Sequence, residues 1–225
     1  MFVVKVFKVI GLSILIFVGA LSLNSAKAWS NSDITYIQNK LGHLETSVKR
    51  NYLGIKNLDT WNGYLNDAKR KNSGLPQNST KDNLDQRIYS DESLLYAVEY
   101  INYVEISMEK NAKAMRNADV WQQRLELAKV HLKYVDLKVF KEQYNALYQR
   151  LNSKLVEVVK IKNDYMKEYN KANGLYEEAF KLSKSDKDLA INKANESKEL
   201  ANKLSSYYLK DRLINNIDNL IKELS

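Results

Sequence analysis

The sequence predicts an all-α fold, an elongated bundle of long and short helices built on a helical-hairpin repeat of about 60 residues, with a degenerate third copy. Three observations predict it. Apolar residues recur in steps of three and four over long stretches, the spacing of one helix face. Helix breakers are scarce, with one proline, Pro76, and seven glycines in 225 residues. The stretch SVKRNYLGIKNLDTWNGYLNDAK, from Ser47 to Lys69, returns sixty residues later as SMEKNAKAMRNADVWQQRLELAK, from Ser107 to Lys129.

Residues 1–28 stand apart from this pattern. Lys5 and Lys8 precede the apolar run VIGLSILIFVGALSL, and Ala26-Lys27-Ala28 has the small-x-small form of a signal-peptidase site. A basic start, an apolar run too short for a comfortable bilayer span and such a site predict a secretory signal peptide cleaved after Ala28. An uncleaved N-terminal membrane anchor is the alternative, and either way the body is expected outside the cytoplasm. Three of the 35 basic residues and none of the 27 acidic ones lie in that leader, so the mature chain carries a net charge of +5. That mild excess suits contact with anionic lipid or wall polymers. It is too sparse for nucleic acid, which is not expected as a partner. No cysteine is present, so an exported chain must rely on its core for stability. The abundance of Lys, Asn, Ile and Tyr, together with the leader, suggests a Gram-positive source.

The first repeat is placed at residues 29–80. Ile34, Ile37, Leu41, Leu44, Val48, Asn51 and Ile55 follow steps of three and four, which predicts a long helix with a heptad seam. In the second repeat, residues 81–136, Leu94, Ala97, Ile101, Val104, Met108, Asn111 and Met115 hold the same frame. Asn51 and Asn111 are expected to fix register or pair with the turn that follows. Asn57 and Asn117 are expected as helix N-caps, with Asp59 and Asp119 in the first turn of the short helix. Leu58, Trp61, Leu65 and Ala68 then form one apolar face, repeated by Ala118, Trp121, Leu125 and Ala128. Trp61 and Trp121 are expected to wedge against the long helix. Past the motif, LDQRI (Leu84–Ile88) aligns with LYQRL (Leu147–Leu151) if three residues are inserted in the second copy. The loop from Lys71 to Asn83 is the most flexible connection, with Ser79 or Thr80 expected to cap the helix after it.

Residues 137–225 hold the degenerate third copy and the C-terminal helices. There Tyr176 stands for Trp121 and Phe180 for Leu125, with a turn expected at Asn173-Gly174. Ala190, Ala194, Ser197, Ala201 and Leu204 give a small-residue seam. Ile214, Ile217, Ile221 and Leu224 give a larger one.

No constellation carries a specific catalytic, metal or cofactor signature. Two histidines, His43 and His131, stand at unmatched places and are expected at the surface. Glu45 and Glu105 match across the copies, as do Asp59 and Asp119. A duplicated surface or capping role accounts for them better than the paired carboxylates of a glycoside hydrolase. The expectation is therefore no enzyme, no cofactor and no metal. All fifteen tyrosines fall after residue 28. Tyr96, Tyr100 and Tyr103 flank the Ala97-Ile101-Val104 seam and are expected to reach the surface or a partner.

Together these features predict an exported binding or structural module at the bacterial cell envelope or outside the cell. Its partner would be an envelope component or another exported protein, with an anionic membrane surface and homo-oligomerisation through helical seams as further options. The alternatives are a membrane-active helical toxin and an unrecognised wall or glycan hydrolase.

Overall fold

The computed structural model describes residues 31–52, 57–111 and 114–225. Among them the chain is all-α, with seven helices. The leader, with its cleavage site, and Ile55 lie outside the described residues.

Helix α1 runs Asn31–Asn51 and buries Ile37, Leu41, Leu44 and Val48. Helix α2, Leu58–Asn72, returns along it with Trp61, Leu65 and Ala68 buried. Lys69, Arg70 and Lys71 sit in its last turn, where cations favour the negative helix end. Helix α3, Ser79–Lys110, is longer and buries residues on several sides. Its N-cap is Asn78, whose side chain accepts from the Lys81 amide at 3.0 Å. The cap expected at Ser79 or Thr80 thus falls one or two residues earlier, where the backbone is still extended. Helix α4, Met115–Leu132, repeats the geometry of α2, with Met115, Ala118, Trp121, Leu125, Ala128 and Leu132 buried.

Helix α5 runs Leu137–Leu182. It is kinked at Phe140, whose backbone is not helical (φ −124°, ψ 29°), and residues 141–182 beyond the kink span about 63 Å at 1.5 Å per residue. Its N-cap Asp136 accepts from the Lys138 amide at 2.8 Å, and the Asp136 amide donates to Ser90 Oγ at 2.8 Å. No turn forms at Asn173-Gly174, because α5 continues through both residues. One glycine costs a helix only about 1 kcal/mol, and the packing of Ala172 and Ala179 on either side outweighs it. Helices α6, Lys187–Lys203, and α7, Tyr208–Leu224, close the chain. In α7 the buried stripe is Leu213, Ile217 and Leu220. The expected Ile214-Ile221-Leu224 members are only half-buried against it.

Two apolar clusters share α5. The larger joins α1 to α4 with α5 as far as Tyr165, and the smaller joins Ala172 and Ala179 to Ala194, Ala201, Leu213, Ile217 and Leu220. Tyr169 packs against both. In the smaller cluster small residues let helices approach closely, and the buried Ser197 hydroxyl donates to the Ala172 carbonyl at 2.7 Å. That contact sets an expectation. Ala194→Leu would overpack the α5–α6 seam and lower unfolding free energy by about 1–3 kcal/mol, read by urea denaturation.

Candidate functional site

The residues singled out by the repeat occupy three kinds of position. Trp61 and Trp121 are fully buried. The Trp61 indole N–H donates to Ser47 Oγ at 2.8 Å, and the Trp121 indole N–H donates to Ser107 Oγ at 2.8 Å. Each short helix is thereby pinned to the long helix before it by the same bond. Sequence reading placed the tryptophans and missed their acceptors, although both serines open the repeated stretch. A second shared contact was missed too. Arg87 pairs with Glu45, and Arg150 pairs with Glu105. The glutamates are sixty residues apart and the arginines sixty-three, which is the three-residue insertion between LDQRI and LYQRL. Arg150 also donates to Asn102 Oδ1 at 2.7 Å. These carboxylates bind neighbouring arginines, a bridging arrangement between successive long helices.

Asp59 holds its expected place in the first turn of α2 and Asn57 its N-cap position, while the matching pair in the second copy does not. Asn57 precedes α2 but makes no side-chain cap bond, because its own backbone is already helical. Asn117 lies inside the first turn of α4, whose N-cap is Ala114. Asp119 is consequently beyond that first turn. Its carboxylate accepts from Lys162 Nζ at 2.7 Å and from Tyr207 Oη at 2.8 Å, tying α4 to α5 and to the start of α7. The Lys162 bond holds Asp119 below the usual carboxylate range. Asp59 stays exposed in the first turn of α2. Asn51 and Asn111 are exposed at the ends of α1 and α3, and the Asn111 carbonyl accepts from the Ala114 amide at 2.9 Å in the turn that follows.

The three tyrosines share one face of α3. Tyr96 and Tyr103 are 40% and 44% exposed, and Tyr100 is half-buried against the core. Helix α4 completes the surface. His131 lies 4.9 Å from the Tyr96 ring and 5.8 Å from the Tyr100 ring. The Arg124 guanidinium lies 4.1 Å above the Tyr103 ring and 5.7 Å from that of Tyr100. At the other end, Tyr89 and Tyr134 meet edge to face at 5.2 Å. His131 is therefore half-buried, not the plain surface residue expected, and burial lowers its pKa below the ordinary imidazole value. His43 is exposed, as a solvent-facing neighbour of Tyr64. The charge of Glu92 raises the Tyr96 pKa, so that phenol stays protonated and remains a donor. Beside the Tyr89–Tyr134 pair a cleft of about 410 Å³ is lined by Arg87, Ser90, Asp136 and Val139.

Chemically this is a strip of aromatic faces, phenolic hydroxyls and one stacked guanidinium. It can bind by stacking, apolar contact and hydrogen bonding. Among the described residues, no group of three or more His, Asp or Glu side chains could hold a metal ion. Comparison with protein-family models, curated proteins and solved structures finds no match to this chain.

Proposed function

We propose that the protein is an exported, non-enzymatic binding module that works at the bacterial cell envelope or outside the cell, through the aromatic strip of α3 and α4. The strip is the observation that supports this reading. Large exposed side chains with polar tips bury contact area at low entropic cost, and Tyr and Arg are the residues on which interface energy concentrates. The leader-like residues 1–28 support export, and the mildly basic charge supports an anionic envelope.

The test is co-sedimentation of residues 29–225 with cell-wall sacculi and, separately, with anionic liposomes. Pelleting with sacculi, weakened about tenfold by a Tyr96→Ala/Tyr103→Ala double variant, is the expected result. Pelleting and dye release with liposomes would favour the membrane-active alternative instead. No described helix is long and apolar enough to cross a membrane, so that route would begin with adsorption of amphipathic faces. Breakdown of the sacculi would favour the hydrolase.

A further inference from the structure

Three lysines meet at the break in α5. Lys49, in the last turn of α1, and Lys138 and Lys141, on either side of Phe140, line a cleft of about 340 Å³ with Val139, Glu142 and Gln143. Successive residues of a helix turn by about 100°, so no one side of a helix carries three in a row. Lys141, Glu142 and Gln143 line the cleft together all the same, which places its opening at the break rather than along the helix side.

The lysine charges are unpaired. None of the three forms an ion pair among the described residues. Lys138 stands in a first turn that holds no acid beyond the N-cap Asp136, where a cation opposes the positive helix end. The Lys49 ammonium lies 5.8 Å from the centre of the Phe140 ring, a contact that holds it beside the cleft. Asp91, which feels the Lys49 charge, is kept mostly protonated at neutral pH by its burial, so it leaves that charge in place. Among the described residues of the lining, three lysines against the single Glu142 leave a net charge of +2.

Gln143 adds a neutral donor. It is 5% exposed and makes no hydrogen bond among the described residues, and burying an amide without a partner is costly. The unpartnered atoms of Asp91, Asn102 and Tyr165 are sealed inside the protein. The Gln143 amide is not sealed, and Gln143 lines the cleft, where its NH2 group can present two donors. Three ammonium groups and an amide, coming from several directions, match a tetrahedral oxyanion with acceptor oxygens all round. A planar carboxylate is better served by the parallel donors of arginine, whereas lysine binds phosphate as a point charge.

We propose that this cleft is a binding site for a phosphoryl group, held by Lys49, Lys138, Lys141 and the Gln143 amide. Its source is a lipid headgroup or a small phosphate ester, which present the same chemistry to the site. The cleft borders that of Tyr89 and Tyr134 at Val139 but takes neither its lysines nor its amide from the aromatic strip, so either site can fail without the other. The test is calorimetric titration of residues 29–225 with inorganic phosphate and with glycerol 3-phosphate, acetate serving as the planar anion. A second arm measures co-sedimentation with phosphatidylcholine vesicles that hold phosphatidic acid. Saturable binding at one site, weakened about tenfold or more by Lys138→Gln/Lys141→Gln, is the expected result. Gln143→Met keeps the length of the side chain and needs no partner. It should melt no lower by circular dichroism and bind several-fold less tightly. Lys184→Gln/Lys187→Gln makes the same charge change at exposed positions just past the far end of α5 and should leave binding intact, as should Tyr96→Ala/Tyr103→Ala. Binding of the free anions assigns a small phosphate ester as the source. Binding to the vesicles alone, with the same dependence on Lys138, Lys141 and Gln143, assigns the lipid headgroup. No saturable binding in either arm would overturn the proposal. So would equal affinity for acetate, equal losses from the two lysine pairs, or indifference to Gln143→Met.

Discussion

Trp121→Ala is expected to lower the unfolding free energy by about 3–5 kcal/mol, the cost of deleting a fully buried aromatic. Trp121 touches solvent nowhere, and its indole N–H is bonded to Ser107. The substitution therefore removes apolar area and a bond that pins α4 to α3. At about 2–4 °C per kcal/mol for a chain of this size, the thermal midpoint should fall by roughly 10 °C. Ser107→Ala isolates the second effect. It leaves a buried indole donor without its acceptor, at a cost of about 1–3 kcal/mol. Once Trp121 is gone, Ser107→Ala should cost little more, and a double-mutant cycle in urea measures that coupling. Trp121→Ala that kept full stability and lost binding instead would move this residue from the core to the contact surface. The same experiment at Trp61 and Ser47 asks whether both hairpins depend equally on the pin.

The second large effect is a pH dependence centred on Asp91. This carboxyl is 1% exposed, and its Oδ2 has no hydrogen-bond partner. Burial, followed by the charge of Glu45, pushes its pKa up to about 8, with Arg87 opposing. Asp136 acts in the same raising direction and Lys49 in the lowering one. The folded chain therefore keeps a proton that the unfolded chain, at the ordinary 3.8, has lost. With the unfolded state binding fewer protons, stability falls as pH rises through the window between those values, by up to about 1.4 kcal/mol per unit. Asp67 and Asp119 titrate below 3.8 when folded, so their stabilising contribution is lost only in acid. His131, lowered from 6.5 by burial, also acts on the acid side. Between pH 6.5 and about 8, Asp91 is thus the group expected to carry the change. Wild type should lose about 2 kcal/mol across that range, and Asp91→Asn should hold its stability level and exceed wild type at pH 8. Urea midpoints at four pH values decide it, and parallel curves for the two proteins would refute the assignment. The position has no counterpart in the other hairpin, because the three-residue offset aligns Asp91 with Lys154, an exposed-side partner of Glu157.

Much of the architecture was legible in residue spacing. Ile37, Leu41, Leu44 and Val48, and sixty residues later Ala97, Ile101, Val104 and Met108, are buried because a helix has one period and a bundle has one inside. Trp61, Leu65 and Ala68 follow the same logic, as does the small-residue seam of α6. Where a cap would fall was less legible. Asn117 carries a capping side chain, yet α4 begins two residues before it, at Met115. Met115 is almost fully buried, and burying it holds the backbone helical before the asparagine is reached. Gly174 shows the converse, a turn former overruled by the alanines that pack around it.

The candidate site divides along the same line. The chain by itself determined that Tyr96, Tyr100 and Tyr103 share a helix and flank its seam, since that depends only on a 3.6-residue period. Only the tertiary structure decided what lies beside them. Arg124 and His131 are 21 to 35 residues away along the chain. They reach the tyrosine rings because α4 folds back antiparallel to α3 at a phase set by the Trp121–Ser107 bond. The pairing of Arg150 with Glu105, and the isolation of Asp91, were likewise decided by how successive long helices stack. Local periodicity places a side chain on a face. Which charge or ring it meets there depends on long-range packing, because that partner contributes nothing to the local period.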